Sequence, residues 1–236
     1  LVKHSVSMIH EYARKLQQID QFDLLSDSYE KQIQDLAISV ANDTEGAMAV
    51  YFRYDPELTG DGTSGFFWSR KAADEDFTAE LPTDILAYEE DNIERVGWFY
   101  VPKEAGEPLW MSPYYNKNLD VFMISYIVPL YQNDRFIGVI GMDIDFHSII
   151  RATGDATIYP TSHLALVDMN ERIMYSYDEN EETAGEPLSD AMYTHVLTLD
   201  GENTLLPLKQ EDGTKAMTTG SRLLNGMMLF MTVPLS

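Results

Sequence analysis

The 236-residue sequence contains no cysteine. That excludes a disulfide scaffold, thiolate metal ligation and a cysteine nucleophile. Positive charge is scarce, with 16 Lys and Arg against 39 Asp and Glu, a formal net charge of −23. A field of that sign repels phosphate backbones and anionic lipid surfaces, so nucleic acid is not an expected partner. Long apolar runs are also missing. No stretch approaches the roughly 18 residues needed to span a bilayer. The first residues, LVKHSVSMIHEYARKLQ, are amphipathic and unlike a signal peptide. The length suits one large domain or two small ones, and a 44% hydrophobic, 23% charged composition is that of a packed globular chain.

Reactive constellations are equally sparse. His4, His10, His147, His163 and His195 are scattered and form no recognised metal-ligand spacing. The segment GVIGMD has two glycines but no phosphate-cradling motif, and no GxSxG occurs. Asp143, Asp145 and His147 alternate, so a continuing strand would point all three one way, toward a divalent cation. If the strand ends near Asp145, the trio separates. Glu89, Glu90, Asp91 and Glu94 recur at helical spacing and read as a solvated acidic face. These absences argue against an enzyme, with no cofactor and no metal expected.

What is present is periodicity. Val2, Val6, Ile9, Ala13 and Leu16 step by four and three, one stripe along a helix. The stripe packs either on its own domain or along a partner helix as a homodimer seam. A second helix is expected from about Ser28 to Ala41, with Asp27 and Glu30 as a capping box. AMAVYFRY (47–54) and FFWSR (66–70) read as a hairpin across a loop dense in Gly and Asp. Residues 82–95 suggest a helix with Ile85, Leu86, Tyr88 and Ile93 facing inward. VFMISYIVPLY (121–131) and RFIGVIGMDIDF (135–146) read as antiparallel strands joined by a tight turn. After a short helix and linker at 147–162, a smaller version of the pattern follows. It has a strand–turn–strand at 163–176, a short helix near 189–198, and strands at TLLPLK, TKAMTTGSRL and MMLFMTVP. The expected fold is α+β, a long N-terminal helix followed by two units, each an antiparallel sheet with flanking helices. The expected divisions are 1–41 for a helical stalk and second helix, 42–150 for the first module and 151–236 for the second.

Residues 97–116, GWFYVPKEAGEPLWMSPYYN, concentrate six aromatic side chains between Pro and Gly. They plug a core or line a cavity. Together with MISYIVPLY and GVIGMDIDF, this stretch resembles the double Cache sensor domain of bacterial transmembrane receptors. The features that carry the resemblance are Trp98–Phe99, the segment from Trp110 to Tyr114, Ser125–Tyr126 with Pro129, and the strand from Gly138 to Asp143. The resemblance covers essentially the whole chain. It implies the extracytoplasmic part of a membrane-anchored chemoreceptor, histidine kinase or diguanylate cyclase, with membrane spans beyond both ends. It also implies that the two units are PAS-like modules, with a ligand pocket in the membrane-distal one.

The resemblance assigns Arg95, Trp98, Phe99, Trp110, Tyr114, Asn116, Ser125, Tyr126 and Asp143 to that pocket. In the amino-acid-binding branch, an Arg and a Trp hold the ligand carboxylate, and a Tyr and two Asp hold its ammonium. Trp98, Tyr114 and Asp143 match that pattern. Val96 stands where the Arg is expected, with Arg95 one residue early. Phe99 replaces a Tyr, Asn116 replaces the first Asp, and Asp91 holds the upstream Tyr position, Tyr88 being the nearest alternative. The ammonium end is thus half kept. The expected ligand is an amine or an amino-acid-like molecule, with aromatic faces and Asp143 meeting its cation. The alternatives are a neutral or carboxylate ligand held differently, and a structural or partner-protein-sensing module with no small ligand.

Overall fold

The computed structural model describes residues 2–18, 23–116, 121–146, 148–149, 161–170, 172–178, 181–199, 205–209, 213–223 and 226–235. The chain divides into two compact units, Leu1–Phe146 and His147–Ser236.

The first unit opens with helices α1 (Val2–Gln17) and α2 (Asp27–Asn42). Val6, Ile9, Ala13 and Leu16 of α1 are buried, packed with α2 and with the sheet. The apolar stripe is therefore consumed inside its own unit and is not free to serve as a homodimer seam. Ser5 and Thr44 share a buried hydrogen bond of 2.8 Å, and Gln17 donates to the Tyr29 hydroxyl at 3.0 Å, tying α1 to α2. The cap of α2 is Ser26, whose Oγ accepts from the Tyr29 amide at 3.2 Å. The helix thus starts at Asp27, which was expected to cap it. Ser26 holds extended dihedrals (φ −79°, ψ 143°), which suit a cap, and Asp27 supplies first-turn negative charge.

The sheet of this unit joins β1 (Ala47–Tyr54), β2 (Gly65–Ser69), β3 (Thr78–Ala79), β4 (Leu109–Trp110), β5 (Tyr114–Asn116), β6 (Val121–Gln132) and β7 (Arg135–Asp145). Its order is β3-β2-β1-β7-β6-β4, with β5 also paired to β6, and every pairing is antiparallel. Asn133 and Asp134 turn the β6–β7 hairpin with φ of 49° and 63°, the left-handed pair that matches strand twist. A one-turn helix, α3 (Pro56–Thr59), follows β1.

The helix expected over 82–95 does not form. Instead Ile85–Ala87 make a single 3-10 turn, and helix α4 runs Ile93–Ala105. Asp84 accepts from the Leu86 amide at 3.0 Å and Asn92 from the Arg95 amide at 3.2 Å. Two capping side chains eight residues apart each start a new turn, and together they break the longer helix. Leu86 and Ile93, expected inside, are 59% and 56% exposed, whereas Ile85 is buried. Half of the aromatic-rich stretch, residues 97–105, is therefore helical. It ends at Gly106, whose left-handed φ of 69° favours a residue without a Cβ.

The second unit carries strands β8 (His163–Asp168), β9 (Ile173–Asp178), β10 (Glu181–Pro187), β11 (Leu206–Lys209), β12 (Lys215–Arg222) and β13 (Met228–Pro234). They form an antiparallel sheet ordered β10-β9-β8-β13-β12-β11. Helix α5 (Asp190–Leu197), capped by Ser189, buries Val196 against Val167, Met228 and Phe230. Strand β10 was not foreseen, because its polar sequence, EETAGEP, lacks the apolar alternation that marks a strand. Among the described residues it pairs with β9 alone, at the sheet edge, a position where polar sequence is favoured. Most of the linker expected at 147–162 lies outside the described residues. The α+β plan of a leading helix and two PAS-like modules holds.

Candidate functional site

β1, β6 and β7 run side by side at the centre of the first sheet, and strand alternation sorts their side chains onto two faces. One face meets α1 and α2. There Phe52 packs edge-on against Tyr29 with ring centroids 6.3 Å apart, and the Tyr54 hydroxyl donates to the Leu24 carbonyl at 2.7 Å. The other face carries Tyr51 and Arg53 from β1, Ser125 and Ile127 from β6, and Val139, Gly141 and Asp143 from β7. Helix α4 covers part of this second face, bringing Val96, Trp98 and Phe99 to it.

Asp143 lies at the centre of that face, only 3% exposed. It is paired in register with Ser125 on one side and Ala49 on the other. The Ser125 hydroxyl donates to Asp143 Oδ1 at 2.6 Å. The Tyr114 and Tyr51 hydroxyls complete the cluster, each hydrogen-bonded to the same carboxylate. Asn116, two residues along β5, bonds in turn to Tyr114. Tyr114 is 37% exposed as a whole residue, yet its hydroxyl end is buried beside Asp143.

Burial disfavours the charged form of Asp143 and lifts its pKa from 3.8 to about 6; the three hydroxyl donors pull it back only in part. The same burial, with the Asp143 charge nearby, drives the Tyr51 and Tyr114 phenols well above their ordinary value, so both remain donors. Among the described residues, no Lys, Arg or His forms an ion pair with Asp143. The result is a dry carboxylate that accepts three neutral hydrogen bonds and has no counter-ion. Such a group is costly to keep charged and is strongly favoured by an incoming cation.

Aromatic rings lie nearby. The Tyr51 ring stands edge-on to Trp98 at 5.5 Å and beside Phe67 at 6.1 Å. Tyr51 has room because residue 141 is glycine; a Cβ there would lie 2.3 Å from the phenol Cζ. Trp98 is anchored by its indole N–H, which donates to the Arg95 carbonyl at 2.9 Å.

Of the side chains expected in the pocket, Trp98, Tyr114, Asn116, Ser125 and Asp143 are gathered on this face. Phe99 lies beneath them, wholly buried, its ring 5.7 Å from Phe136. Trp110 and Tyr126 stack on each other at 5.0 Å on the opposite face, where Lys3 of α1 lies over the Tyr126 ring at 5.7 Å. The register explains this placement. Tyr126 is adjacent to Ser125 along β6 and must point the other way, and Trp110 pairs directly with Tyr126. Arg95 is exposed, its guanidinium 6.0 Å from the Tyr88 ring. Val96, where a cation was sought, is fully buried. Tyr51 and Arg53 were not anticipated. Their signal lay in β1, where one charged side chain stands in a strand buried along its whole length.

Residues 33–151 match the family model described as the first PDC sensor domain of methyl-accepting chemotaxis protein-like receptors. No match was found among curated proteins. Among solved structures, the chain is similar to the extracellular domain of mmHK1S-Z2, a proposed histidine kinase (16% identity, 98% of this chain and 96% of that chain, TM-score 0.67). It is also similar to the ligand-binding domain of the Campylobacter jejuni chemoreceptor Tlp3, solved with 4-methylisoleucine (15% identity, 97% and 82%, TM-score 0.64). A third similar structure is the ligand-binding domain of Mlp24 with asparagine (14% identity, 98% and 85%, TM-score 0.58). At these identities the likeness shows a shared fold.

Proposed function

The chain belongs to the methyl-accepting chemotaxis protein-like PDC sensor domain family, and from that premise we propose that it senses a small organic cation, an amine or an amino-acid-like molecule, at Asp143. It is a sensor domain of the chemoreceptor and histidine kinase type. The observation that carries the ligand reading is the buried Asp143 carboxylate, held by three hydroxyl donors with no ion-paired base. An ammonium replaces the missing counter-ion, with the Tyr51 and Trp98 rings nearby. The parent protein is anchored in the membrane with this domain outside the cytoplasm, and ligand binding is passed to a cytoplasmic output domain. Two similar domains solved with amino acids support the ligand class, and no helix among the described residues is long and apolar enough to cross a membrane. To signal, the ligand must bind one conformation of the unit better than another. The domain itself carries no reaction in this reading.

The test is a thermal-shift panel of amino acids, biogenic amines, quaternary amines and small carboxylates, with Asp143→Ala alongside. A ligand at 100 times its dissociation constant stabilises the folded state by about 2.7 kcal/mol. The expected result is a rise in melting temperature for one or more cations that Asp143→Ala abolishes. Shifts produced only by carboxylates, or equal shifts in both proteins, would overturn the reading.

A further inference from the structure

A second buried charge lies on the same face as Asp143, and its chemistry is complementary. Arg53 is 1% exposed. Its Nη2 donates to the Gly62 carbonyl at 2.6 Å and the Thr83 carbonyl at 2.7 Å, and its Nε to the Ser64 carbonyl at 3.3 Å. These three bonds fix the plane of the guanidinium. Nη1 makes no hydrogen bond among the described residues, and no carboxylate forms an ion pair with Arg53. Asp61 and Asp84 act on it only through the field, while Lys103 in the same unit meets Asp55 and Glu57 directly at 3.3 Å. Arg53 is a buried cation with a free edge and no paired anion.

Its position relative to Asp143 follows from the register. Asp143 pairs with Ala49 and Val139 with Arg53, so the two charges lie four residues apart along β1, about 13 Å between their rows at the usual strand rise. Tyr51 occupies the row between them, opposite Gly141. One ring bridges the whole array. Trp98 lies 5.5 Å from the Tyr51 ring, whose hydroxyl meets Asp143, and 5.4 Å from the Arg53 guanidinium.

We infer that the site is bipolar, with Asp143 taking the cationic end of the ligand, Arg53 Nη1 its anionic end, and the Tyr51–Trp98 pair the apolar chain between. This rests on the reading of Asp143 given above and narrows the ligand class to ω-amino carboxylates and similar extended zwitterions. An α-amino acid carries both charges on neighbouring carbons and cannot reach both poles across Tyr51. A simple alkylamine fills the first pole and leaves Arg53 uncompensated.

The experiment is calorimetric titration of the 236-residue chain with glycine, γ-aminobutyrate, δ-aminovalerate and ε-aminocaproate. n-Butylamine and n-pentylamine serve as chain-matched probes without the carboxylate, and L-valine and L-norvaline as α-amino acids. The expected result is at least a tenfold preference for one of the longer amino carboxylates over its matched alkylamine and over both α-amino acids. Arg53→Lys, which keeps the charge but loses the fixed fork, and Arg53→Met should each reduce that preference toward unity. Equal affinity for amino carboxylates and alkylamines would make Arg53 only a clamp on the 61–65 loop and overturn the bipolar site, while cation sensing at Asp143 stands. Tighter binding of the α-amino acids would also overturn it. If neither series binds, this inference fails, while the amine reading is decided by the wider cation panel. The comparison in the unmutated protein needs no variant, so a misfolded Arg53→Met does not weaken the test.

Discussion

Each sheet places a cross-strand polar pair near its centre, and the two pairs behave differently. In the first unit, Ser125 on β6 faces Asp143 on β7 at 2.6 Å. In the second, Thr218 on β12 faces Thr232 on β13 at 3.3 Å. Two hydroxyls satisfy each other, since each both donates and accepts, and Thr218 also donates to the Met231 carbonyl at 3.1 Å. The neighbouring core of Val167, Val196, Met228 and Phe230 is apolar. That pair is closed. A carboxylate with three donors is satisfied in hydrogen bonds but not in charge. The same architecture thus holds a settled pair in one unit and an open electrostatic demand in the other, and the proposed binding reading rests on that demand.

The largest effect that would break this contrast is removal of the charge. The folded protein keeps the Asp143 proton to about pH 6, and the unfolded chain releases it near 3.8. Stability from this group is therefore highest below pH 4, falls as the pH rises through that window, and is flat above it. The shift corresponds to a penalty of about 3 kcal/mol at neutral pH. Asp143→Asn is expected to raise the unfolding free energy at pH 7.5 by up to about 3 kcal/mol, with little gain at pH 4, as read from urea unfolding at both. Thr218→Val, the matching change in the second unit, should lower stability by about 1 kcal/mol without pH dependence.

A smaller effect sharpens the geometry. Gly141→Ala places a Cβ 2.3 Å from the Tyr51 ring and forces the phenol off Asp143. The expected cost is about 1–3 kcal/mol in stability, with weakened amine binding in the thermal-shift panel. Ser26→Ala should lower stability by about 1 kcal/mol through loss of the α2 cap and leave the site unchanged. The smallest effect is expected from Tyr126→Phe. Its ring lies on the opposite face from Asp143, so ligand affinity should stay within twofold.

Much of the fold was legible because its signals are local. The four-three stripe of α1, the Asn133–Asp134 turn and the alternation in β12 and β13 each speak for themselves. The stripe does not say what covers it, so a dimer seam and internal packing give the same pattern. The helix expected over 82–95 had the right apolar spacing, but Asp84 and Asn92, both strong caps, outweighed it. For the site, Asp143 was visible as a carboxylate ending an apolar strand. Trp110 and Tyr126 were assigned with it because motifs count residues along the chain, whereas faces are set by alternation and pairing. Tyr51 and Arg53 come from a strand more than 80 residues before Asp143 and meet it only through sheet order. No local pattern carries that.

The most direct test of the central claim is an NMR titration of the Asp143 side-chain carboxyl, assigned by comparison with Asp143→Asn, without ligand and with the best amine of the panel. The expected result is an apparent pKa of about 6 in the free protein that falls below 4 when the amine is bound, because the cation stabilises the charged form. A free-protein value near 3.8, or a value that does not move on saturation with any cation that binds, would contradict an uncompensated carboxylate waiting for its counter-ion.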